Sequence, residues 1–294
     1  MTSPAPAPFQ PPQQQPPQPS RAPHRAPHYV SPIPVTDAHL GHAIASEWTK
    51  IRSVRSTMWT LGVLIVLVFG IGLLSTVAVR ATGSGTSMRG TPVLSMGFFG
   101  VLLGSMCVVT LGVLTVASEY GTGMIRTTLT ACPSRARVLA AKAVVFFLLA
   151  FVILLVTTAL VAMFQYAMLK GMGARTPDVG EWIRATVGVS LYVALLGLLS
   201  LAVGSLIRHS AGAITIMLGV LLLPLVLALF MFADSLSSLR EKLFEYSIPN
   251  QLSALYNTSV SSTGPSGWQP LWILLAVTAV VYAGAVATLN NRDV

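Results

Sequence analysis

Six long apolar runs, separated by short polar connectors, set the pattern of this chain. An α-helix needs about 20 consecutive apolar residues to cross about 30 Å of hydrocarbon. The runs therefore predict spans at Met58–Val79, Val93–Ala117, Val138–Leu169, Ile183–Ile207, Ala211–Ala233 and Leu271–Leu289. The expected fold class is all-α, a polytopic membrane protein with six transmembrane helices. The third run is longer than a span requires, so its first turns should emerge from the bilayer or the helix should tilt. Pro224 should kink the fifth, because proline removes a backbone hydrogen bond and clashes with the preceding turn.

Ahead of the first run the pattern changes. Leu40, Ile44, Trp48, Ile51 and Val54 recur at spacings of four and three, which puts them on one face of a helix over residues 39–56. Lys50, Arg52 and Arg55 lie off that stripe, and Glu47 interrupts the otherwise basic polar side. Such an N-terminal interfacial helix would lie in the headgroup layer, with Trp48 at the interface and its cations near anionic membrane lipid. A plain extension of the first span is the alternative, but it would leave the apolar stripe facing water. Residues 1–34 are dominated by proline and glutamine and carry no hydrophobic pattern that could offset the entropy of ordering. The chain divides into a disordered tail, 1–38, and a membrane domain, 39–294. No apolar stretch starts before about Met58, so the tail does not read as a secretory signal and is expected to stay attached.

Composition agrees with the pattern. Hydrophobic residues make up 53% of the chain and charged residues 9%, against about 25% charged in a soluble domain. With 294 residues there is room for six spans and their connectors but not for a further soluble domain, so any energy-coupling machinery is expected on another chain. Cys107 and Cys132 are too few for a disulfide framework and read as structural thiols.

The formal charge of +9 bears on topology. With the N-terminus inside, the cytoplasmic connectors hold eleven Lys and Arg and the external ones seven; the excess belongs on the cytoplasmic side. The expected placement is a multi-pass protein of the plasma membrane with both termini cytoplasmic. No folded basic face suited to nucleic acid is visible.

Much chemistry is missing from the sequence. No ionisable residue falls in the middle of a predicted span, which argues against a proton relay. Gln165 is the bulkiest polar residue within the spans, and a helix-to-helix hydrogen bond accounts for it. Lys50, Lys142, Lys170 and Lys242 are never preceded by glycine, so the phosphate-binding Gly-Lys-Ser/Thr element is absent. The histidines form no His-Glu-x-x-His pattern; His39 and His42 could share a helix face but lack a third metal ligand. No catalytic residue, cofactor or metal is expected. Gly97, Gly100 and Gly104 form a small-residue stripe that lets another helix approach closely, with internal packing the simplest use. Of the connectors, the one from Ala117 to Arg137 has amphipathic potential, and that from Asp234 to Gln269 has room for short helices at Leu236–Phe244 and Gln251–Tyr256.

Two stretches are more distinctive. Ser46-Glu47-Trp48-Thr49-Lys50-Ile51-Arg52-Ser53-Val54-Arg55-Ser56-Thr57 precedes the first span, and Ser118-Glu119-Tyr120-Gly121-Thr122-Gly123-Met124-Ile125-Arg126-Thr127-Thr128-Leu129 follows the second, with Arg137-Val138-Leu139-Ala140-Ala141-Lys142 beyond it. In these residues the chain resembles the permease subunits of actinobacterial type-2 ATP-binding-cassette transporters. The resemblance implies a second permease subunit, as homodimer or heterodimer, and a separate ATP-binding-cassette ATPase subunit. It further implies that Ser118–Leu129 is a cytoplasmic coupling helix, with Glu119, Tyr120, Thr122 and Arg126 as polar contacts to the ATPase and Met124, Ile125 and Leu129 as apolar ones. The interfacial helix would then act as an elbow, and the segment from Asp234 to Gln269 would cap the pathway. The expected function is export of a hydrophobic or amphipathic compound. A membrane scaffold or sensor subunit that translocates nothing is the alternative.

Overall fold

The computed structural model describes residues 39–82, 92–131, 134–172, 175–258 and 264–291. The proline- and glutamine-rich tail and Cys132 lie outside the described residues, while Cys107 is half-buried with its thiol unpaired. Among the described residues the chain is helical, without a strand. In chain order the helices are α1 (Leu40–Ser53), α2 (Arg55–Ala81), α3 (Phe98–Thr122), α4 (Met124–Ala131), α5 (Arg135–Leu169), α6 (Val179–Ile183), α7 (Val189–Ile207), α8 (Ser210–Phe230), α9 (Ser237–Glu245), α10 (Ile248–Leu255) and α11 (Gln269–Asn291). A 3-10 turn at Val93–Gly97 leads into α3, and a widened π-type turn at Arg184–Gly188 joins α6 to α7.

Six stretches are long and apolar enough to cross a membrane: Arg55–Ala81, Val93–Thr122, Arg135–Leu169, Val179–Ile207, Ser210–Phe230 and Gln269–Asn291. They coincide with the six predicted runs but differ at their ends. The first begins at Arg55, so Arg55 belongs to the span and not to the interfacial helix, because Val54 is extended and ends α1. The fifth stops at Phe230, short of Ala233, and continues unbroken through Pro224. The expected short helices of the last long connector are present as α9 and α10, shifted by one to three residues at their starts.

Local chemistry fixes several of these ends. Asp178 caps α6 by accepting from the backbone N–H groups of Gly180 and Glu181, while Glu181 accepts from the Asp178 N–H at 3.2 Å; this reciprocal capping box satisfies donors that a helix start leaves open. Ser247 caps α10 with Pro249 in its first turn, where a missing N–H is harmless. Between α7 and α8 the reversal takes only Arg208 and His209, with His209 Nδ1 accepting from the Gly212 N–H at 3.1 Å.

The spans are not equivalent. The stretch containing α7 is 78% buried and packs against α3, α5, α8 and α11, whereas those of α2, α8 and α11 are 17–22% buried. The outer helices turn apolar side chains outward, including Trp59, Val66 and Leu74 on α2 and Trp272 and Val280 on α11, as a lipid-facing surface must. Gly100 and Gly104 face α2, where a Cβ at Gly100 would lie 2.8 Å from the Val68 carbonyl oxygen, so this stripe serves internal packing. The closest approach in the core is between α3 and α7: a Cβ at Gly112 would run into the Gly197 carbonyl, which cannot move aside as a side chain could.

Gly112→Ala should therefore destabilise the purified chain by about 1–3 kcal/mol of overpacking, read as a lower melting temperature in detergent. Gly219→Ala on α8, where nothing lies within 4 Å of the added carbon, should not. Equal effects of the two would contradict the packing described.

Candidate functional site

One end of the bundle gathers the start of α2, the end of α3, all of α4, the start of α5, the end of α7 and the end of α11. Contacts across this end are polar. Arg135 Nη1 at the start of α5 donates to the Leu289 carbonyl of α11 at 2.8 Å. The Arg208 guanidinium after α7 lies 5.1 Å from the centre of the Tyr120 ring on α3, an attraction of cation to ring quadrupole. Arg208 takes a left-handed backbone conformation, φ 58°, to close α7 and reach that ring.

At the centre of this end are four charged side chains from three helices. Lys142 Nζ on α5 donates to Glu47 Oε2 of α1 at 2.8 Å and to Glu119 Oε1 of α3 at 2.6 Å. Lys50 Nζ on α1 donates to Glu47 Oε1 at 2.8 Å and to Glu119 Oε1 at 3.0 Å. The side chain of Lys142 is 2% exposed, Glu47 5%, Glu119 8% and Lys50 31%. Two carboxylates and two ammonium groups thus form a closed, neutral tetrad that is largely withdrawn from water. Withdrawing each ion costs several kcal/mol, which the short contacts offset only while every partner is present. The four groups consequently hold α1, α3 and α5 in one register.

Sequence reasoning missed this tetrad. The helical pattern puts Glu47 on the exposed polar side of α1, yet it is that helix's most buried residue; the face pressed on the bundle runs through Glu47 and Ile51, while Leu40 and Trp48 are each 45% exposed and Ile44 is half-buried. Arg52 is exposed, its guanidinium 6.0 Å from the Trp48 ring. In the sequence Lys142 stands out only as part of a motif. The available signal was an acid on a basic helix face in a chain with nine Asp and Glu in all: an isolated acid there calls for a buried cationic partner.

The predicted single coupling helix, Ser118–Leu129, is two pieces. Ser118–Thr122 is the last turn of α3; Gly123 then adopts φ 74°, a conformation that ordinary side chains resist, and α4 sets off afresh from Met124. The break sorts the candidate contacts. Glu119 points into the tetrad, and Tyr120 is half-buried under Arg208. Ile125, 8% exposed, and Leu129 face a crevice formed with Val116, Val138, Leu139 and Leu289 and anchor α4 to the bundle. Thr122, Met124 and Arg126 are exposed.

Burial opposes the charge of Lys50, but the hydrogen bonds and negative charge of Glu47 and Glu119 outweigh it, and the ammonium titrates above the ordinary lysine range. Its contribution to stability is therefore full below the unfolded-state pKa, about 10.4, and is lost as pH rises through the higher folded-state value.

A family model of the ABC-2 family transporter proteins matches residues 86–287. It spans about two-thirds of the chain, including α3, α4 and α5, and the chain belongs to this family. No curated protein matches the sequence. The molecule is a multi-pass membrane protein of a transporter family, and the tetrad joins the matched region to α1, which precedes it.

Lys142→Met, which leaves two buried carboxylates with the partly solvated Lys50 alone, should destabilise the fold by about 3–5 kcal/mol, and Lys50→Met by clearly less because the buried Lys142 then remains paired with both. Thermal unfolding in detergent compares them, and equal losses would contradict the burial order. The melting-temperature gap between the unmodified chain and Lys50→Met should stay constant from about pH 6 to about pH 9 and narrow above about pH 10. A gap that widens there would reverse the assigned sign.

Proposed function

We propose that the chain is the transmembrane permease subunit of an ATP-binding-cassette exporter. It moves a hydrophobic or amphipathic compound across the plasma membrane with ATP hydrolysed by a separate subunit, and it pairs with a second permease subunit, identical or similar. Both termini are cytoplasmic in this reading, which places the tetrad and α4 on the cytoplasmic side. The excess of Lys and Arg on that side supports the orientation. The resemblance to the actinobacterial branch supports the pairing with an ATPase, and part of it rests on residues 46–57, ahead of the family match.

The observation that carries the mechanism is the position of α4. Its inner face is anchored by Ile125 and Leu129, its outer face presents Met124 and Arg126, and α3 just before it is fixed through Glu119 to α1 and α5. A short helix held in this way can lie in a groove of the ATPase. Closure of the ATPase then pushes on α4, and the tetrad passes the displacement to α1 and α5 together, as a rigid-body movement. The contact surface is Thr122, Met124 and Arg126. Glu119, Tyr120, Ile125 and Leu129 act as positioning residues behind it. The tail, 1–38, is a separate cytoplasmic segment, and the interfacial residues Leu40, Trp48 and Arg52 rest on lipid.

Met124→Glu combined with Arg126→Glu should abolish co-purification with the ATPase and ATP-dependent efflux from inverted vesicles, while leaving the melting temperature of the isolated chain unchanged. Retained association with normal efflux would remove α4 from the coupling role.

A further inference from the structure

Beside the tetrad lies a cavity of about 310 Å³ between α1, α2 and α3, a size at the lower end of small-molecule sites. Glu47, Lys50 and Glu119 border it, Ile51, Val54, Leu111, Leu114 and Met124 supply apolar wall, and the rest is hydroxyl. On α1 this is Ser53, on the α2 side Ser56, Thr57 and Thr60, and on the α3 side Thr115, Ser118 and Thr122.

The direction of their hydrogen bonds decides what would fit. Thr60 donates to the Ser56 carbonyl at 2.8 Å, Thr115 to the Leu111 carbonyl at 2.7 Å, Thr122 to the Ser118 carbonyl at 2.9 Å, and Ser118 to that of Leu114. Each proton is spent within its own helix, so the oxygens remain as acceptors. The tetrad has capacity to spare on this side: Lys50 Nζ, part of the cavity wall and with a side chain 31% exposed, makes two hydrogen bonds, to Glu47 and to Glu119, out of the three an ammonium can donate. The site thus offers hydroxyl oxygens as acceptors and the Lys50 ammonium as a donor. Charge narrows the choice further. The tetrad is neutral, and Lys50 on the cavity wall repels a cation, while an anion would meet the hydroxyl lone pairs and the Glu47 and Glu119 carboxylates that already hold Lys50.

We infer that this cavity binds a neutral amphiphile whose head carries several hydroxyl groups, which donate to the Ser and Thr oxygens and accept from the Lys50 ammonium while its apolar chain lies along Leu111 and Leu114. Such binding requires the cavity alone and does not depend on the export reading; its test contains neither ATP nor the ATPase. Occupancy braces α1 against α2 and α3 at the edge of the tetrad.

The test uses the full-length chain in lipid nanodiscs, with Cys107→Ala and Cys132→Ala to remove native thiols and Thr57→Cys as a reporter on the cavity wall. Maleimide labelling is timed with 1-monolauroylglycerol, dodecyltrimethylammonium, dodecyl phosphate or dodecane. Monolauroylglycerol should slow labelling about tenfold and the other three little. The shape-conserving set Thr60→Val, Thr115→Val and Ser118→Ala should abolish that protection without changing the labelling rate in its absence. No protection by the glyceride, equal or stronger protection by any of the other three compounds, or protection that survives the hydroxyl substitutions would each overturn the assignment.

Discussion

The arrangement of this molecule at one end depends on the electrostatics of four side chains. Opposite unit charges about 4 Å apart attract by about 1 kcal/mol in water but about 4 kcal/mol at the effective dielectric near a protein surface. Lys142, at 2% exposure, has no aqueous alternative while α5 keeps its place. It needs Glu47 and Glu119, and they in turn need a cation, so α1 and α3 are held where α5 requires them. Apolar burial between helices is a weak organiser in a membrane, because lipid chains are as apolar as leucine. A closed polar cluster supplies the register that hydrophobic contact cannot. The glycine contact between α3 and α7 does the same by shape, since only backbone-to-backbone approach brings Gly112 against Gly197.

These constraints produce a division of labour within the bundle. The stretch of α7 forms the buried axis, the outer helices face lipid, and the end bearing the tetrad is stapled by additional cationic contacts from Arg135 and Arg208. At the opposite end, Glu181 plays a smaller version of the same part: it accepts from Asn257 at 2.9 Å, pairs with Arg175 and completes the cap of α6. Charged residues are scarce in this chain, and several of the acids join separate segments.

How much was legible in the sequence follows from the range of each interaction. Span number and type follow from local hydropathy, which a run of about 20 apolar residues declares on its own, and all six runs are helices. Helix ends that depend on a side chain a few residues away were also within reach, as at Ser247 and Pro249. The tetrad was not, because Glu47 and Lys142 are 95 residues apart and nothing local distinguishes a buried lysine from a solvated one. The apolar stripe of α1 does mark a helix, but its residues mostly face away from the protein, leaving an acid on the buried side. The division of Ser118–Leu129 at Gly123 was visible in principle, since a glycine within an otherwise helical stretch marks a possible stop.

In the proposed mechanism, α1 and α4 are joined through α3 and α5 into one stiff corner that would move as a unit when the ATPase closes. Pulsed electron spin resonance between labels at Ser46 on α1 and Thr127 on α4, in assembled complexes carrying one labelled permease, measures this directly. A stiff corner predicts the same Ser46–Thr127 distance without nucleotide and with ATP trapped, while the distance from Thr127 to Leu239 on α9 changes between the two states. A Ser46–Thr127 distance that shifts on ATP binding, with Thr127–Leu239 unchanged, would contradict it.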